Sequence, residues 1–418
     1  MQIILYLRIN SFEKALKTKN IKFKNNSGLT LSAKLELPVT NLPRHFAVFA
    51  HCFTCGKNAR AATFISRELT QYGFGVLRFD FTGLGMSEGD FGDTSFTSNI
   101  SDLEAAAEFL TQNYQAPKLL VGHSLGGTAV LHAAKSIESI EAVCSIGAPS
   151  EAEHVLKHFE DSREEIERKK VSEVQIGGRP FNIGVQFIHD VESQKTASFL
   201  PKLRKALLIM HSPQDEIVSI DNAAEIYVAA RHPKSFITLD GANHLLTKKE
   251  DASYAAKMIG AWVSQYLPTE VENKEPSEDV TVQLGSDGFT TEISAGDHVF
   301  LADEPEDVGG NNMGPTPYQL LNASLGSCTA MTLKMYADRK SWPLEKVTVS
   351  LSNSKMHVED SSNPEGKKSK VEVFKRRIAI EGDLDETQRQ RLLEIANKCP
   401  VHRTLTESDV KVETELIE

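Results

Sequence analysis

The segment Leu119–Gly127, with the sequence LLVGHSLGG, constrains the fold more than any other part of this chain. A short apolar run leads into Gly-x-Ser-x-Gly, and a helical stretch, Thr128–Lys135, follows it. At a tight strand-to-helix turn the serine adopts a strained backbone conformation, and the glycines remove side chains that would clash across the turn. The spacing therefore predicts Ser124 as a nucleophile, with the Leu125 N–H beside it as an oxyanion donor.

A nucleophilic serine needs a base, and the base needs an acid that orients it. Asp215 and His244 each stand in a turn directly after a short apolar run, and they follow Ser124 in the order acid, then histidine. The carboxyl ends of parallel strands meet at one edge of a sheet, which is where ligands bind. We therefore predict Ser124, Asp215 and His244 as the catalytic residues. Two neighbouring carboxylates stay open as the acid: Glu216 and Asp240.

The second oxyanion donor is expected in the loop that follows an early apolar strand, and we assign it to the N–H of Phe53. The same loop carries Cys52 and Cys55 as a lone CxxC. Five cysteines in 418 residues do not suggest a disulfide framework, and no second pair completes a zinc site. We give two other histidines structural interpretations: His123 packs or forms a hydrogen bond, and His211 closes a strand. His154 and His158 lie four residues apart and could share a metal ion, but no third ligand is evident nearby. We expect no metal and no cofactor.

Apolar strands alternate with helices from Ile21 to Leu267, which predicts a mostly parallel sheet covered by helices on both faces. Residues 1–20 are expected to be an N-terminal extension. The stretch from about 150 to 198 is polar and long, and we interpret it as a lid inserted into the domain. Its section Glu160–Lys170 is a dense charge run typical of a solvated helix face.

An acidic segment with two prolines, 268–279, predicts a linker, and the pattern changes after it. Residues 280–418 read as strands, a long helix at Thr316–Lys340, strands, a helix and a last strand at Asp409–Ile417. This order predicts an α+β domain. Two cysteines stand in its helical parts: Cys328 and Cys399. Such residues are most often core thiols, but a pair can also reduce peroxides, with one thiolate attacking and the other resolving the sulfenic acid.

The chain carries a formal net charge of −11, and no basic stripe is available to replace phosphate counterions. We therefore expect no nucleic-acid partner and no docking on an anionic membrane. The apolar run at the N-terminus is only a few residues long and lacks a cleavage pattern, so a signal peptide is not expected. The sequence predicts a cytoplasmic protein.

The stretches AHCFT, VLRFDFTGLGMSEG, VGHSLGG, HSPQDEIV and GANH together resemble the α/β-hydrolase family over Ile21–Leu267. The resemblance implies hydrolysis of a small-molecule carboxylic ester through an acyl-enzyme on Ser124. His244 would act as base and then as acid, and Asp215 would hold it. A serine at the nucleophile position argues against dehalogenation, which requires a carboxylate there.

The stretches ADEP, GPTPYQLL, LGSC and CPVHRTL resemble the OsmC family over Val280–Glu418. That family implies an intertwined homodimer and, in many members, reduction of organic hydroperoxides. Cys328 would then be the peroxidatic residue and Cys399 its resolving partner. This chain departs from the peroxidase members because Tyr318 replaces their glutamate and their early arginine is missing. Arg403, or an arginine of a second subunit, is the expected substitute.

Overall fold

The computed structural model describes residues 17–40, 42–53, 55–176, 179–267, 280–285, 288–296, 298–358, 369–407 and 409–416. They fall into two compact units, and the second unit begins at Val280. The predicted linker at 268–279 lies outside the described residues. No helix in the described ranges has both the length and the apolar character needed to cross a bilayer.

The first unit is built on one large sheet. Its described strands are β1 (Lys17–Lys24), β2 (Thr30–Leu37), β3 (His45–Ala50), β4 (Phe74–Phe79), β5 (Leu119–His123), β6 (Ala142–Ile146), β7 (Val171–Ile176), β8 (Arg179–Gly184), β9 (Ala206–His211) and β10 (Lys234–Thr238). Eight of them form the sheet in the order β1-β2-β4-β3-β5-β6-β9-β10. The strands from β4 to β10 in this order are parallel to one another, and β2 runs antiparallel to both of its neighbours, β1 and β4. β1 begins at Lys17, so its first four residues belong to the stretch predicted as an extension.

Helices cover both faces of this sheet. They are α1 (Arg60–Leu69), α2 (Phe96–Asn113), α3 (Leu125–Ala133), α4 (Arg163–Lys169), α5 (Val185–Ser193), α6 (Asp221–Ala229) and α7 (Lys249–Val263). Side chains alternate between the faces along each strand. On β5, Leu120 packs into the core with Leu103 of α2, whereas Val121 packs into the core with Ile259 of α7. The predicted mostly parallel sheet with two helical layers is confirmed.

The stretch 150–198 is better packed than its polar composition suggests. β7 and β8 form a hairpin within it, and apolar side chains from the stretch enter the core next to α2 and α3: Phe159, Ile166, Phe187 and Val191. The charge run does form a solvated helix face, since Ile166 is the buried residue of α4. The stretch is therefore anchored to the domain by its own apolar contacts.

His132 lies on α3, the helix that follows the strand-to-helix turn at Ser124 (the elbow), and links this helix to the stretch 150–198. Its Nε2 lies 3.0 Å from the Thr196 hydroxyl, and its ring packs edge-on against Phe96 and Phe199. Burial, reinforced by the charge of Lys135, lowers the pKa of His132 to about 3. The folded state therefore holds this imidazole neutral over most of the acid range.

We expect the free energy of unfolding to fall as the pH is lowered from about 6.5 towards 3, because only the unfolded chain binds the His132 proton in that window. His132→Gln keeps a hydrogen-bonding group for Thr196 and does not titrate. The free energy of unfolding of this variant should change with pH less steeply than that of the wild type, by up to about 1.4 kcal/mol per pH unit. Urea unfolding at several pH values measures this slope, and exposed His189→Gln is the control. Equal slopes for wild type and His132→Gln would contradict the prediction.

The second unit has an α+β architecture. Its elements are β11 (Val280–Leu284), β12 (Thr291–Ala295), β13 (His298–Ala302), α8 (Pro317–Arg339), β14 (Leu344–Val358), β15 (Ser369–Gly382), α9 (Glu386–Ala396) and α10 (Pro400–Thr406). β11–β13 form one antiparallel sheet, and β14 pairs with β15. The last strand predicted at 409–417 is wrong for residues 409–416. A strand requires a hydrogen-bonded neighbouring strand, and residues 409–416 pair with none among the described residues. The side chains of Val410 and Val412 are exposed.

Candidate active site

The three residues predicted as catalytic meet at the carboxyl edge of the large sheet. His244 Nε2 lies 3.0 Å from Ser124 Oγ, and His244 Nδ1 lies 2.8 Å from Asp215 Oδ2. These groups come from positions 120 and 29 residues apart in the chain. An imidazole placed between a hydroxyl and a carboxylate can accept the hydroxyl proton while the carboxylate holds the ring.

The backbone at Ser124 has the conformation that the elbow motif predicts. Ser124 has φ 56° and ψ −130°, and α3 begins at the next residue. A Cβ at Gly122 would lie 2.2 Å from the Gly126 carbonyl oxygen, and one at Gly126 would lie 2.4 Å from the His51 carbonyl oxygen. Any larger residue at either position would push these backbones apart. The two glycines therefore allow the strained turn that raises the serine above the sheet.

Asp215 is held as an ionised acceptor. Its Oδ1 accepts hydrogen bonds of 2.9 Å from the N–H groups of Ile217 and Val218. Burial works to raise the pKa of Asp215, but the hydrogen bond with His244 and those from the backbone outweigh it, so this pKa lies below its ordinary value. A carboxylate at Nδ1 keeps a proton there and leaves the Nε2 lone pair facing Ser124. The alternative acids, Glu216 and Asp240, have exposed side chains.

Two buried histidines lie next to His244 and Asp215. His123 Nε2 lies 2.6 Å from the backbone carbonyl of His244, which it can reach only as a donor. Burial, followed by the charge of His244, lowers the pKa of His123 to about 4. His211 ends β9 and donates from Nε2 to the Val218 carbonyl at 2.8 Å. Both structural interpretations from the sequence are confirmed, and His123 anchors the loop that carries the base.

The predicted oxyanion donors lie on two adjacent segments. Leu125 begins α3, and Phe53 follows β3 in a loop where His51 Nδ1 donates to the Cys52 carbonyl at 2.8 Å. This loop contains a disulfide between Cys52 and Cys55, with a Cα–Cα distance of 5.2 Å. The number of cysteines did not predict this bond. The pair closes a local turn, in which the Cys55 N–H donates to the Cys52 carbonyl, and needs no wider framework.

The described residues contain no group of three or more His, Cys, Asp or Glu side chains that could hold a metal ion. His154 and His158 lie in a 3-10 helix, Ala152–His158, rather than in a regular α-helix. Burial lowers the pKa of both, and at His154 the charges of Lys157 and His158 follow it as causes.

In the second unit, the two cysteines differ in position and in burial. Cys399 is fully buried and precedes α10, and the His402 N–H donates to its sulfur at 3.2 Å. Cys328 lies on α8 and is partly exposed. The hydroxyl of the next residue on that helix, Thr329, lies 3.6 Å from Cys399 Sγ. Neither thiol forms a disulfide.

An arginine that the sequence analysis missed lies beside Thr329. Arg376 of β15 donates from Nη1 to the Thr329 hydroxyl at 2.8 Å, and from Nη2 to Asn397 Oδ1 at 2.7 Å. The expected substitute, Arg403, instead pairs with Glu407 at 3.0 Å. Gln319 follows Tyr318, the residue that replaces the glutamate of the peroxidase members, and forms a capping box with Thr316 at the start of α8.

Comparisons with known proteins agree with both halves of this architecture. Residues 48–154 match the family described as serine aminopeptidase, S33, and residues 309–415 match the family described as OsmC-like protein. The esterase domain of a Rhodothermus marinus protein is 43% identical, covering 60% of this chain and 99% of that domain, with a TM-score of 0.49. The chain joins an α/β-hydrolase domain to an OsmC-like domain.

Animal relatives match the α/β-hydrolase domain only distantly. Human palmitoyl-protein thioesterase ABHD10, mitochondrial, is 26% identical over 172 residues, which are 38% of this chain and 54% of that protein. Mouse alpha/beta hydrolase domain-containing protein 10 is 21% identical, with a TM-score of 0.50, covering 59% of this chain and 99% of that structure. The chain spans about half the length of the curated relatives it matches. The likeness to the mouse structure supports the α/β-hydrolase fold.

Short local patterns were enough to find the predicted residues of the α/β-hydrolase domain, but not Arg376 of the OsmC-like domain. Arg376 lies on a strand 47 residues after Thr329, among several charged residues of β15. The separation between Cys328 and Arg376 in the sequence does not correspond to a short motif. The signal that could have directed attention to Arg376 is the general need for a positive group near any thiol that is expected to react.

Proposed function

We propose that the α/β-hydrolase domain hydrolyses carboxylic esters or thioesters through an acyl-enzyme on Ser124. The observation that carries this proposal is the His244 ring, hydrogen-bonded to the Ser124 hydroxyl on one side and to the Asp215 carboxylate on the other. The names of the similar proteins, an esterase domain and a thioesterase, support the same substrate class.

The reaction would begin when His244 Nε2 takes the proton of Ser124 Oγ as this oxygen attacks the acyl carbon. The N–H groups of Phe53 and Leu125 would stabilise the negative oxygen of the tetrahedral intermediate. His244 then gives its proton to the leaving alcohol or thiol, and the acyl group stays on Ser124. A water molecule, deprotonated by the same ring, releases the acid and restores the hydroxyl.

Labelling with a fluorophosphonate probe tests this proposal directly, because the probe reacts with activated serines. We expect stoichiometric labelling of the native chain, with the modified peptide located at Ser124 by mass spectrometry. The variant His244→Ala should label far more slowly, and denatured protein serves as the blank. Labelling at another serine, or none in the folded protein, would overturn the assignment.

We further propose that the OsmC-like domain reduces organic hydroperoxides. The supporting observation is the guanidinium of Arg376, bonded to the hydroxyl that contacts Cys399. The Cys328 thiolate would attack the peroxide, break the O–O bond, release an alcohol and become a sulfenic acid. The Cys399 thiol would condense with that sulfenic acid to give a disulfide and water, and a dithiol reductant would restore both thiols.

Consumption of cumene hydroperoxide with dithiothreitol as the reductant tests this second activity. Cys328→Ser should abolish it, and Arg376→Gln should slow it because the guanidinium holds Thr329, the contact of the resolving Cys399. Ser327→Ala, the neighbouring exposed position, is the matched control. Unchanged peroxide consumption by Cys328→Ser would leave the OsmC-like domain without this role.

A second copy of the chain is the partner that we propose for the OsmC-like domain. On α8, Met331 and Met335 are 65% and 73% exposed, which is unusual for such large apolar side chains. Light scattering on the purified protein should report a dimer, and Met335→Glu should shift it towards the monomer. A monomer at all concentrations would reject this proposal.

We also propose a cytoplasmic location, which cell fractionation can test.

A further inference from the structure

A small cavity lies beside the residues proposed as oxyanion donors. Phe53 and Leu125 form part of its wall, and the rest of the wall is largely apolar and includes Phe81. Two polar side chains also line the cavity: His51 and Asn99. Both are more than nine-tenths buried, so any polar atom that they present there is removed from bulk water.

His51 presents a hydrogen-bond acceptor. Its ring is 2% exposed and packs edge-on against Phe81. Nδ1 faces the Cys52 carbonyl at 2.8 Å and must carry the proton, because a carbonyl oxygen only accepts. Burial lowers the pKa of His51, so the ring is neutral and Nε2 keeps its lone pair. Within the described ranges this buried Nε2 has no hydrogen-bond partner.

Asn99 of α2 presents an amide to the cavity. Its Oδ1 is buried and has no partner among the residues that the structure describes. The oxygen and nitrogen of an amide exchange places on a half-turn about the last torsion, so the side chain can offer either Oδ1 or Nδ2 to an occupant. Leaving a buried polar atom unpaired costs about 1–3 kcal/mol, so two such groups in one cavity indicate a polar occupant.

The chemistry of these two groups selects the occupant. His51 Nε2 requires a donor, which an ether, a ketone or an alkyl group cannot supply. The apolar wall disfavours an ammonium group, since a desolvated charge is costly without a counterion. A hydroxyl donates its hydrogen to His51 Nε2 and accepts from Asn99 Nδ2. The cavity volume of about 10 Å³ suits one such group, about the space that one water molecule requires.

We propose that this cavity is a specificity subsite for a hydroxyl group on the acyl part of the substrate, close to the scissile carbonyl. The inference rests on the proposed ester hydrolysis at Ser124 and names its substrate class, hydroxyacyl esters. In the absence of substrate, a water molecule satisfies His51 and Asn99. The hydroxyl of the bound acyl group replaces this water and orients the carbonyl towards Phe53 and Leu125.

Three p-nitrophenyl esters that differ only in the acyl part test the subsite: the esters of butyrate, 3-hydroxybutyrate and 3-methoxybutyrate. We expect the wild-type kcat/KM for the hydroxy ester to exceed both others by about tenfold, the effect of one buried hydrogen bond that the site is built to make. Asn99→Leu should reduce this ratio to about one, and Asn99→Ala serves if the leucine variant does not fold. Asn113→Leu, an exposed change on the same helix, should keep the ratio.

The outcomes separate this inference from the function on which it rests. Hydrolysis of all three esters with similar kcat/KM overturns the subsite and leaves the esterase proposal intact. A preference for the hydroxy ester that survives in Asn99→Leu also overturns it. If none of the esters is hydrolysed and no fluorophosphonate labels Ser124, the proposed function fails, and the subsite fails with it.

Discussion

Replacement of Ser124 by alanine should lower kcat for p-nitrophenyl butyrate by on the order of 10⁶-fold, because removing the nucleophile of such a triad costs about as much as removing all of it. The Ser124 hydroxyl lies 3.0 Å from His244 Nε2, and alanine carries no oxygen that could attack in its place. The remaining rate would reflect substrate binding and the oxyanion donors alone. Initial rates at high enzyme concentration, with the ester freshly purified, measure this loss.

Ser145→Ala provides the matched control for this variant. Ser145 is also buried at the carboxyl half of a strand of the same sheet, and no partner for its hydroxyl occurs within the described parts of the chain. Removing an unpaired buried hydroxyl should leave both kcat and stability close to those of the wild type. Retention of more than a hundredth of the activity by Ser124→Ala would show that another group carries the reaction.

Asp215→Asn should lower kcat by about 10⁴-fold while leaving the fold intact. The asparagine amide can donate to His244 Nδ1 and so stabilise the tautomer that carries its proton on Nε2. That tautomer presents a hydrogen instead of a lone pair to Ser124 and cannot act as its base. The loss should appear in kcat with both ester and thioester substrates, because it affects the base and not the leaving group.

Asp240→Asn tests the alternative assignment under the same conditions. Asp240 lies on the same loop as His244, but its side chain is exposed, and Asp215 occupies the position at His244 Nδ1. We expect Asp240→Asn to retain wild-type kcat within about twofold, as for other exposed substitutions. A large loss in Asp240→Asn together with full activity in Asp215→Asn would reverse the assignment of the acid.

Much of the first domain was predictable because its signals are local. Successive apolar strands predicted the parallel sheet, because strands buried on both faces need continuous apolar runs. The two glycines around Ser124 predicted the elbow, because steric clashes within a few residues decide that turn. The stretch 150–198 was harder to interpret. Its few apolar residues, such as Phe187, are scattered among charges, and their burial depends on the core that distant segments provide.

By itself the sequence determined the α/β and α+β classes of the two domains, the serine at the elbow, and the order of the residues that follow it. Tertiary structure alone decided that Asp215 contacts His244, that Cys52 bonds to Cys55, and that Arg376 lies beside Thr329. The physical reason is range. Backbone sterics and side-chain periodicity act within a few residues, whereas the contacts of a site depend on where separate strands and loops end in space.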